Sequence, residues 1–199
     1  MEEYPKQIAL RDGRSVTLRM LQATDEARLM EFFAGLPRGS TQFLKHDVHD
    51  PEVVRRFVAH IDPQSIWPIV AVTPEGNIVA DATLHTVSRG WRRHVGEVRG
   101  VVAESYRRQG LATALVRELV EHAGSRHLRK LKAEILDTQT GAFKVFQRMG
   151  FKEEARLRQH AMDLDGQLHD ILILTNSVDD LWRKMEDLIS EMEITSSRV

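Results

Sequence analysis

Apolar and polar residues alternate near the start of the chain and then recur at helical spacing. The alternation over residues 15–20, preceded by the turn signal Asp12-Gly13 and a shorter apolar run, predicts a β-hairpin. Two helices are expected next, beginning near Thr24 and at Asp50, because each residue can cap a helix whose first turn is acidic. Residues 38–48, between these helices, are predicted to form a loop.

The middle and the end of the chain consist mainly of β-prone runs, with two helical patterns between them. One helical pattern covers residues 111–121, and a shorter one follows Gln139. Strands are predicted at residues 66–72, 78–87, 94–102, 131–136, 151–162 and 168–174. The unbroken apolar run 171–174 indicates a strand buried on both faces. Strands interleaved with helices predict an α/β or α+β domain, with helices packed on a sheet.

A last helical pattern covers residues 178–192, where apolar residues recur at helical spacing after a start marked by Ser177 and Asp180. The apolar stripe needs a partner, and two alternatives stay open: the chain's own domain, or a second copy in a homodimer. We therefore divide the chain into a domain at 7–176 and a C-terminal helix at 177–194.

Composition narrows the class of protein. At 199 residues, with 42% apolar and 29% charged residues, the chain fits one globular domain. A net charge of −1 gives no reason to expect nucleic acid or an anionic membrane as partner. The lack of cysteine excludes disulfides and thiolate catalysis, and the nine histidines lack the spacing of a metal site. With neither a signal-peptide pattern nor a membrane-length apolar run, we expect a cytoplasmic protein.

The stretch from Val101 to Leu115 contains the pattern with the clearest chemistry. A strand runs into a basic turn, and Gly110 then opens a helix whose first amides are free donors at the positive end of its dipole. A diphosphate can dock there, because Gly110 has no side chain to keep an anion from the backbone. Arg107 and Arg108 add charge and fork-shaped donors.

Two motifs in this order resemble signatures of the GNAT acyltransferase superfamily. The spacing Arg107-x-x-Gly110-x-Ala112 resembles its coenzyme A pyrophosphate loop. The stretch from Gln139 to Phe151 resembles its second signature, a short helix with an alanine, an aromatic residue four positions later and a terminal Gly-Phe. The resemblance extends over about residues 7–176.

This resemblance implies a GNAT fold, with a mixed and mostly antiparallel sheet flanked by helices, and acetyl-CoA as cosubstrate without a metal. In relatives the strand before the loop splays from its neighbour, so that backbone groups bind the pantetheine arm. The coenzyme-binding residues implied here are Val101, Val102, Arg107, Arg108, Gln109, Gly110, Leu111, Ala112, Thr113 and Gln139. Gln139 stands where relatives usually have asparagine.

The resemblance also implies N-acetyl transfer to a primary amine, by direct attack in a ternary complex. The start of the chain and the segment from Gly150 to Asp170 look most like the acetyltransferase domain of bacterial protein-lysine acetyltransferases, so a protein lysine is the first choice of acceptor. Two alternatives remain: a small amine such as a polyamine, amino acid or amino sugar, and a catalytically silent acyl-CoA-binding regulatory domain.

An amine attacks a thioester only after it has lost a proton, which costs a lysine about 4.6 kcal/mol at pH 7. Glu97 lies ten residues before Arg107, where many relatives have a glutamate base. The alternative is a strand glutamate paired with Arg99 or another nearby arginine. Phe146 stands where many relatives have a tyrosine acid, so no general acid can be named. A thiol leaves reasonably well as an anion at neutral pH, which makes this loss tolerable.

Overall fold

The computed structural model describes residues 4–41, 44 and 46–184. The strands are β1 Lys6–Ala9, β2 Ser15–Met20, β3 Ile66–Val72, β4 Ile78–His85, β5 Val95–Val102, β6 Lys130–Leu136, β7 Lys152–Met162 and β8 Leu168–Ser177. The helices are α1 Glu26–Ala34, α2 Arg38–Thr41, α3 Pro51–Ala59, α4 Leu111–Ser125 and α5 Thr140–Arg148, with 3-10 turns at Ala23–Asp25 and Glu104–Tyr106. Residues 178–184 are also helical.

The eight strands form one sheet in the order β1-β2-β3-β4-β5-β6-β8-β7. Every neighbouring pair is antiparallel except β5 and β6, which run parallel because α4 crosses from the end of β5 to the start of β6. The prediction of a mixed, mostly antiparallel sheet flanked by helices is therefore confirmed.

Each face of the sheet has its own apolar core. The first core includes α4 and α5 packed on one face, with Leu119, Leu131 and Met149 at most 1% exposed. The second core lies on the other face, where Leu29 of α1 and Val54 of α3 pack over Val70 and neighbouring residues of β3 and β4. Alternate residues of each strand supply the two cores, as the period of a β-strand requires.

The predicted hairpin and the start of α3 are confirmed. Strands β1 and β2 pair around Gly13, and the Asp50 side chain accepts a hydrogen bond from the Glu52 amide at 2.9 Å. Within the predicted loop at 38–48, the structure has instead one helical turn, α2, whose Thr41 hydroxyl donates to the Arg38 carbonyl. Local side-chain bonds of this kind are not visible in a hydrophobicity pattern.

The prediction that residues 171–174 are buried on both faces is wrong. Leu172 and Leu174 lie in the first core, but Ile171 and Ile173 are only half-buried. Helices α1 and α3 of that face pack over the opposite half of the sheet, so the described residues cover β8 on one side only.

The C-terminal helix starts where the sequence predicts. The Ser177 hydroxyl accepts a hydrogen bond from the Asp180 amide at 3.0 Å, as a helix cap does. Val178 and Leu181 are buried in the first core, so the first turns pack on the chain's own domain. The remaining stripe residues, from 185 onward, lie outside the described residues, and the proposed domain limits stay a prediction.

Candidate active site and coenzyme-binding loop

The turn between β5 and α4 has the geometry of an anion-binding loop. Gly110 caps α4 at φ 91°, and a Cβ added to it would meet no atom within 4 Å. The amides of Leu111, Ala112 and Thr113 belong to the first helical turn, which has no intrahelical acceptor for them and receives no side-chain cap from Gly110. These donors at the positive end of the helix dipole suit a phosphate, and the open space beside Gly110 lets it approach.

The two arginines of this loop make different contacts. Arg108 is exposed and has a φ of 63°, a left-handed conformation that is uncommon outside glycine. Arg107 is joined to the end of β5, where its Nε donates to the Val102 carbonyl at 3.1 Å. Its guanidinium also donates to the Ser40 hydroxyl at 3.1 Å and pairs with Glu104 at 3.3 Å. In this arrangement Arg107 fastens the loop to β5 and α2.

The β1–β2 turn supports the loop from the other side. The Arg14 guanidinium stacks over the Tyr106 ring at 3.8 Å and donates to the Ser105 carbonyl at 2.6 Å. The Arg11 amide donates to the Gln109 carbonyl at 3.3 Å. Sequence reasoning recognised residues 11–14 only as a turn, because this contact joins segments about 90 residues apart.

Strands β5 and β6 separate soon after they begin. Their register pairs Val95–Glu97 with Lys130–Lys132, and no pair follows Glu97. On its other edge β5 stays paired with β4 as far as Val102, while β6 stays paired with β8. The backbone edge of β5 over residues 98–102 therefore faces a cleft that leads toward the phosphate loop. The splay begins earlier than Val101, where the sequence predicts it, and includes Val101 and Val102.

The side chains of the two valines pack while their backbones border the cleft. Val101 contacts the second core and Val102 contacts the first core. Packing and backbone binding are thus compatible at these residues.

Glu97 lies at the closed end of this cleft, on a polar face of the sheet. This polar face is defined by side chains of β4, β5 and β6: Asp81, Thr83, His85, Glu97, Arg99, Lys132 and Glu134. The Glu97 side chain is 16% exposed, and its two oxygens pair with Arg99 Nε at 2.7 Å and with Lys132 Nζ at 3.0 Å. Partial burial alone would lower the pKa of Lys132, but the hydrogen bonds that it donates to the Glu134 and Glu97 carboxylates raise this pKa. The lysine is therefore a firmly protonated partner of Glu97.

The profile of the Acetyltransferase (GNAT) family matches residues 27–151, which contain α1, β3 to β6, the phosphate loop and α5. The chain belongs to this family. It is therefore an acyltransferase with acetyl-CoA as its cosubstrate.

Solved structures share the fold of this GNAT acetyltransferase at low sequence identity. The GNAT domain of S. lividans PAT has a TM-score of 0.71 and 23% identity, covering 88% of this chain and 99% of that domain. The protein yncA of Salmonella typhimurium, solved with its cofactor acetyl-CoA, has a TM-score of 0.71 and 16% identity, and the match covers 82% of this chain and 94% of yncA. Ribosomal-protein-S5-alanine acetyltransferase from Vibrio fischeri has a TM-score of 0.69 and 17% identity, and the match covers 83% of this chain and 94% of that enzyme. No curated protein matches the sequence significantly.

The second signature of the acetyltransferase lies at the far wall of the cleft. The side-chain oxygen of Gln139 accepts a hydrogen bond from the Leu136 amide at 2.9 Å, which closes the turn from β6 into α5. Phe146 is 8% exposed and packs edge-on against Phe151, with ring centroids 5.0 Å apart. Because position 146 lies in the first core, an apolar side chain such as that of phenylalanine fits it.

The described residues of the acetyltransferase form neither a metal site nor a membrane-spanning helix. Among the described residues, no three His, Asp or Glu side chains are grouped so that they could hold a metal ion. Each helix in the described ranges is too short or too polar to cross a bilayer.

Proposed function

We propose that this acetyltransferase transfers the acetyl group of acetyl-CoA to a primary amine of a polypeptide, first of all a lysine. The observation that carries the proposal is the cleft between β5 and β6, with donor amides at one end and Glu97 at the other. In this proposal the amides of residues 110–113 and Arg108 bind the diphosphate. The free backbone edge of β5 holds the pantetheine arm, and an amide there polarises the thioester carbonyl.

Glu97 is proposed as the base. The acceptor nitrogen attacks the thioester carbon, the C–S bond breaks, and the proton of the amine passes to the carboxylate directly or through water. Arg99 Nε and Lys132 Nζ orient the carboxylate, at 2.7 and 3.0 Å from its two oxygens. The thiolate leaves without a protein acid, because the residue at the family's tyrosine position is Phe146.

The open polar face supports a polypeptide rather than a small molecule as acceptor. Across β6 from Glu97, Ile171 and Ile173 of β8 are half-buried, and the edge strand β7 beyond them is exposed over nearly all its length. Two cavities among the described residues, of about 250 Å³ and 200 Å³, lie at α1, and neither is lined by a residue of the polar face. A small amine would need an enclosed pocket, whereas an extended peptide can lie on an open face.

The base hypothesis is tested by Glu97→Gln, assayed for thiol release with acetyl-CoA and a capped lysine peptide. We expect kcat to fall roughly 10²-fold or more, because the amine then lacks a proton acceptor, while the Kd of acetyl-CoA stays unchanged. Glu134→Gln is the matched control, since Glu134 pairs with the same lysine at 2.6 Å. Near-normal turnover by Glu97→Gln, or an equal loss in Glu134→Gln, would retire Glu97 as the base.

A catalytically silent coenzyme-binding domain is the second candidate. Two observations favour it: the double ion pair of Glu97 and the buried phenylalanine at position 146. Tight binding of acetyl-CoA without acceleration of thiol release by lysine peptides, diamines, amino acids or amino sugars would establish this reading. Turnover of a small amine in preference to the peptide would change the acceptor class and leave the cleft chemistry intact.

A further inference from the structure

Asp81 of β4 is a buried carboxyl group that the proposed reaction does not use. The residue is 8% exposed, and its Oδ1 is fully buried without a hydrogen-bond partner. Buried carboxyl oxygens in folded proteins are nearly always hydrogen-bonded, because an unpartnered one pays the full cost of leaving water. An exception of this kind requires a reason.

The same fold contains a buried aspartate that is purely structural. Asp25 is also buried, but both its oxygens accept hydrogen bonds from Arg19, at 2.6 and 2.7 Å, and one accepts a third from the Gln22 amide. Although burial acts in the opposite direction, these bonds hold the pKa of Asp25 below its ordinary value. Asp81 has no comparable partner, so a structural role of this kind does not account for it.

Asp81 lies on the polar face, directly beside the splayed part of β5. In the register of β4 and β5, Asp81 is opposite Val101, Thr83 is opposite Arg99, and His85 is opposite Glu97. Val101 belongs to the stretch whose other edge borders the cleft. The carboxyl group is thus one strand from the cleft, about four residues along the sheet from the proposed base.

The groups around Asp81 leave its charge uncompensated. On β3 its register partner is Val70, and α1 contributes the apolar residues of the second core, such as Phe32 and Phe33. The charged and titratable side chains of the same face all have other partners. They are His85, which is within hydrogen-bond distance of Thr83, the ion-paired Glu97, Arg99, Lys132 and Glu134, and Arg19 of β2, which pairs with Asp25. Burial alone raises the pKa of Asp81 to about 7. An arriving cation would supply the missing partner.

We infer that Asp81 binds a cationic group of the acceptor other than the reacting amine, so that the enzyme prefers lysines flanked by basic residues. The reacting amine is not this group, because the proposed reaction places it at Glu97, about four residues along the sheet from Asp81. A neighbouring arginine or lysine side chain can stay charged throughout the reaction. This inference rests on the proposed polypeptide acceptor.

The test compares two capped pentapeptides that have a central lysine between arginines or between citrullines, the neutral isostere of arginine. For the wild type we expect kcat/KM to be roughly tenfold or more higher with the arginine peptide, through KM, the factor expected for a hydrogen bond to a charged group. Asp81→Asn should abolish this preference with kcat retained. Thr83→Val, on the same strand and face, should keep it. A preference that survives in Asp81→Asn, or is absent in the wild type, would overturn the inference.

Calorimetry gives a readout that does not depend on turnover. Titration of the arginine peptide into the wild type at pH 7, in buffers of different ionisation enthalpy, should show release of up to about half a proton, because a bound cation favours the carboxylate form of Asp81. Asp81→Asn should bind the arginine peptide more weakly and should not release this fraction of a proton. If the wild type binds with this proton release but acetylates neither peptide, the proposed function fails and the cation site stands. If there is no binding, or binding with equal proton release by both proteins, the cation site is refuted.

Discussion

At the scale of single residues, the polar face contains two carboxyl groups in opposite electrostatic situations. Glu97 has two cations within 3.0 Å, whereas Asp81 is buried without a partner. Burial without a partner raises the pKa of Asp81 to about 7, so this carboxyl group changes charge near neutral pH. A chain that retains such a buried acid sacrifices stability, which is typical of residues kept for binding or catalysis.

The cost of Asp81 predicts a distinct dependence of stability on pH. Its pKa is about 7 in the folded protein and near its ordinary value of 3.8 in the unfolded chain. Between these values the folded state binds the proton that the unfolded state has lost, so the free energy of unfolding falls as pH rises and levels off above about pH 7. From pH 5 to pH 8 the free energy of unfolding of the wild type should fall by on the order of 2–3 kcal/mol more than that of Asp81→Asn. Urea unfolding of both proteins at the two pH values measures the difference, and parallel profiles would contradict the raised pKa.

At the scale of elements, the phosphate loop depends on a turn from the far end of the sheet. Arg14 contacts both Tyr106 and Ser105, and Asp12 fixes its guanidinium at 2.7 Å. The loop itself contains two left-handed residues, Arg108 and Gly110, and such a conformation is kept only when its surroundings hold it. The β1–β2 turn is therefore part of the coenzyme site although it need not touch the coenzyme.

Arg14→Ala tests this role of the turn. Without the stacking and hydrogen bond, the loop is less ordered before binding, and we expect the Kd of acetyl-CoA to rise roughly tenfold, equivalent to about 1.4 kcal/mol, with kcat at saturation little changed. Arg11→Ala is the matched control, because it removes the same charge from the same turn while the Arg11 amide keeps its bond to Gln109. Equal weakening by both variants would indicate a general effect of charge instead.

The elements themselves were largely predictable from local patterns. Alternation, β-prone apolar runs and turn signals indicated the strands, and the cap at Asp50 placed α3, because these features act over a few residues. The helical turn at 38–41 and the half-buried state of Ile171 and Ile173 were missed. The first depends on side-chain hydrogen bonds, and the second on which half of the sheet the helices cover.

At the scale of the whole molecule, the motifs predicted the family, whereas the contacts of the site came only from the fold. The residues around Gly110 and Phe146 identified a GNAT acetyltransferase, because their spacing along the chain reflects one loop and one helix. Neither the support of that loop by Arg14 nor the opposition of Asp81 and Val101 could be read from the sequence, since each joins segments distant in the chain. Long-range pairing of this kind depends on strand order.

The C-terminal helix closes the first core and gives a prediction for the molecule as a whole. Leu181 is completely buried there, next to the α4 and α5 layer that carries the phosphate loop and the second signature. Leu181→Ala should lower the free energy of unfolding by about 2–5 kcal/mol, because removal of this completely buried side chain leaves a cavity in the first core. Arg183→Ala, two positions later with a side chain 72% exposed, should change the free energy of unfolding by less than about 0.5 kcal/mol.

Urea unfolding at two protein concentrations distinguishes the two possible partners of the C-terminal helix, the chain's own domain and a second copy. If its start is part of the domain core, the loss at Leu181 is the same at both concentrations, whereas a loss that appears only at the higher concentration would assign these turns to a contact between two copies.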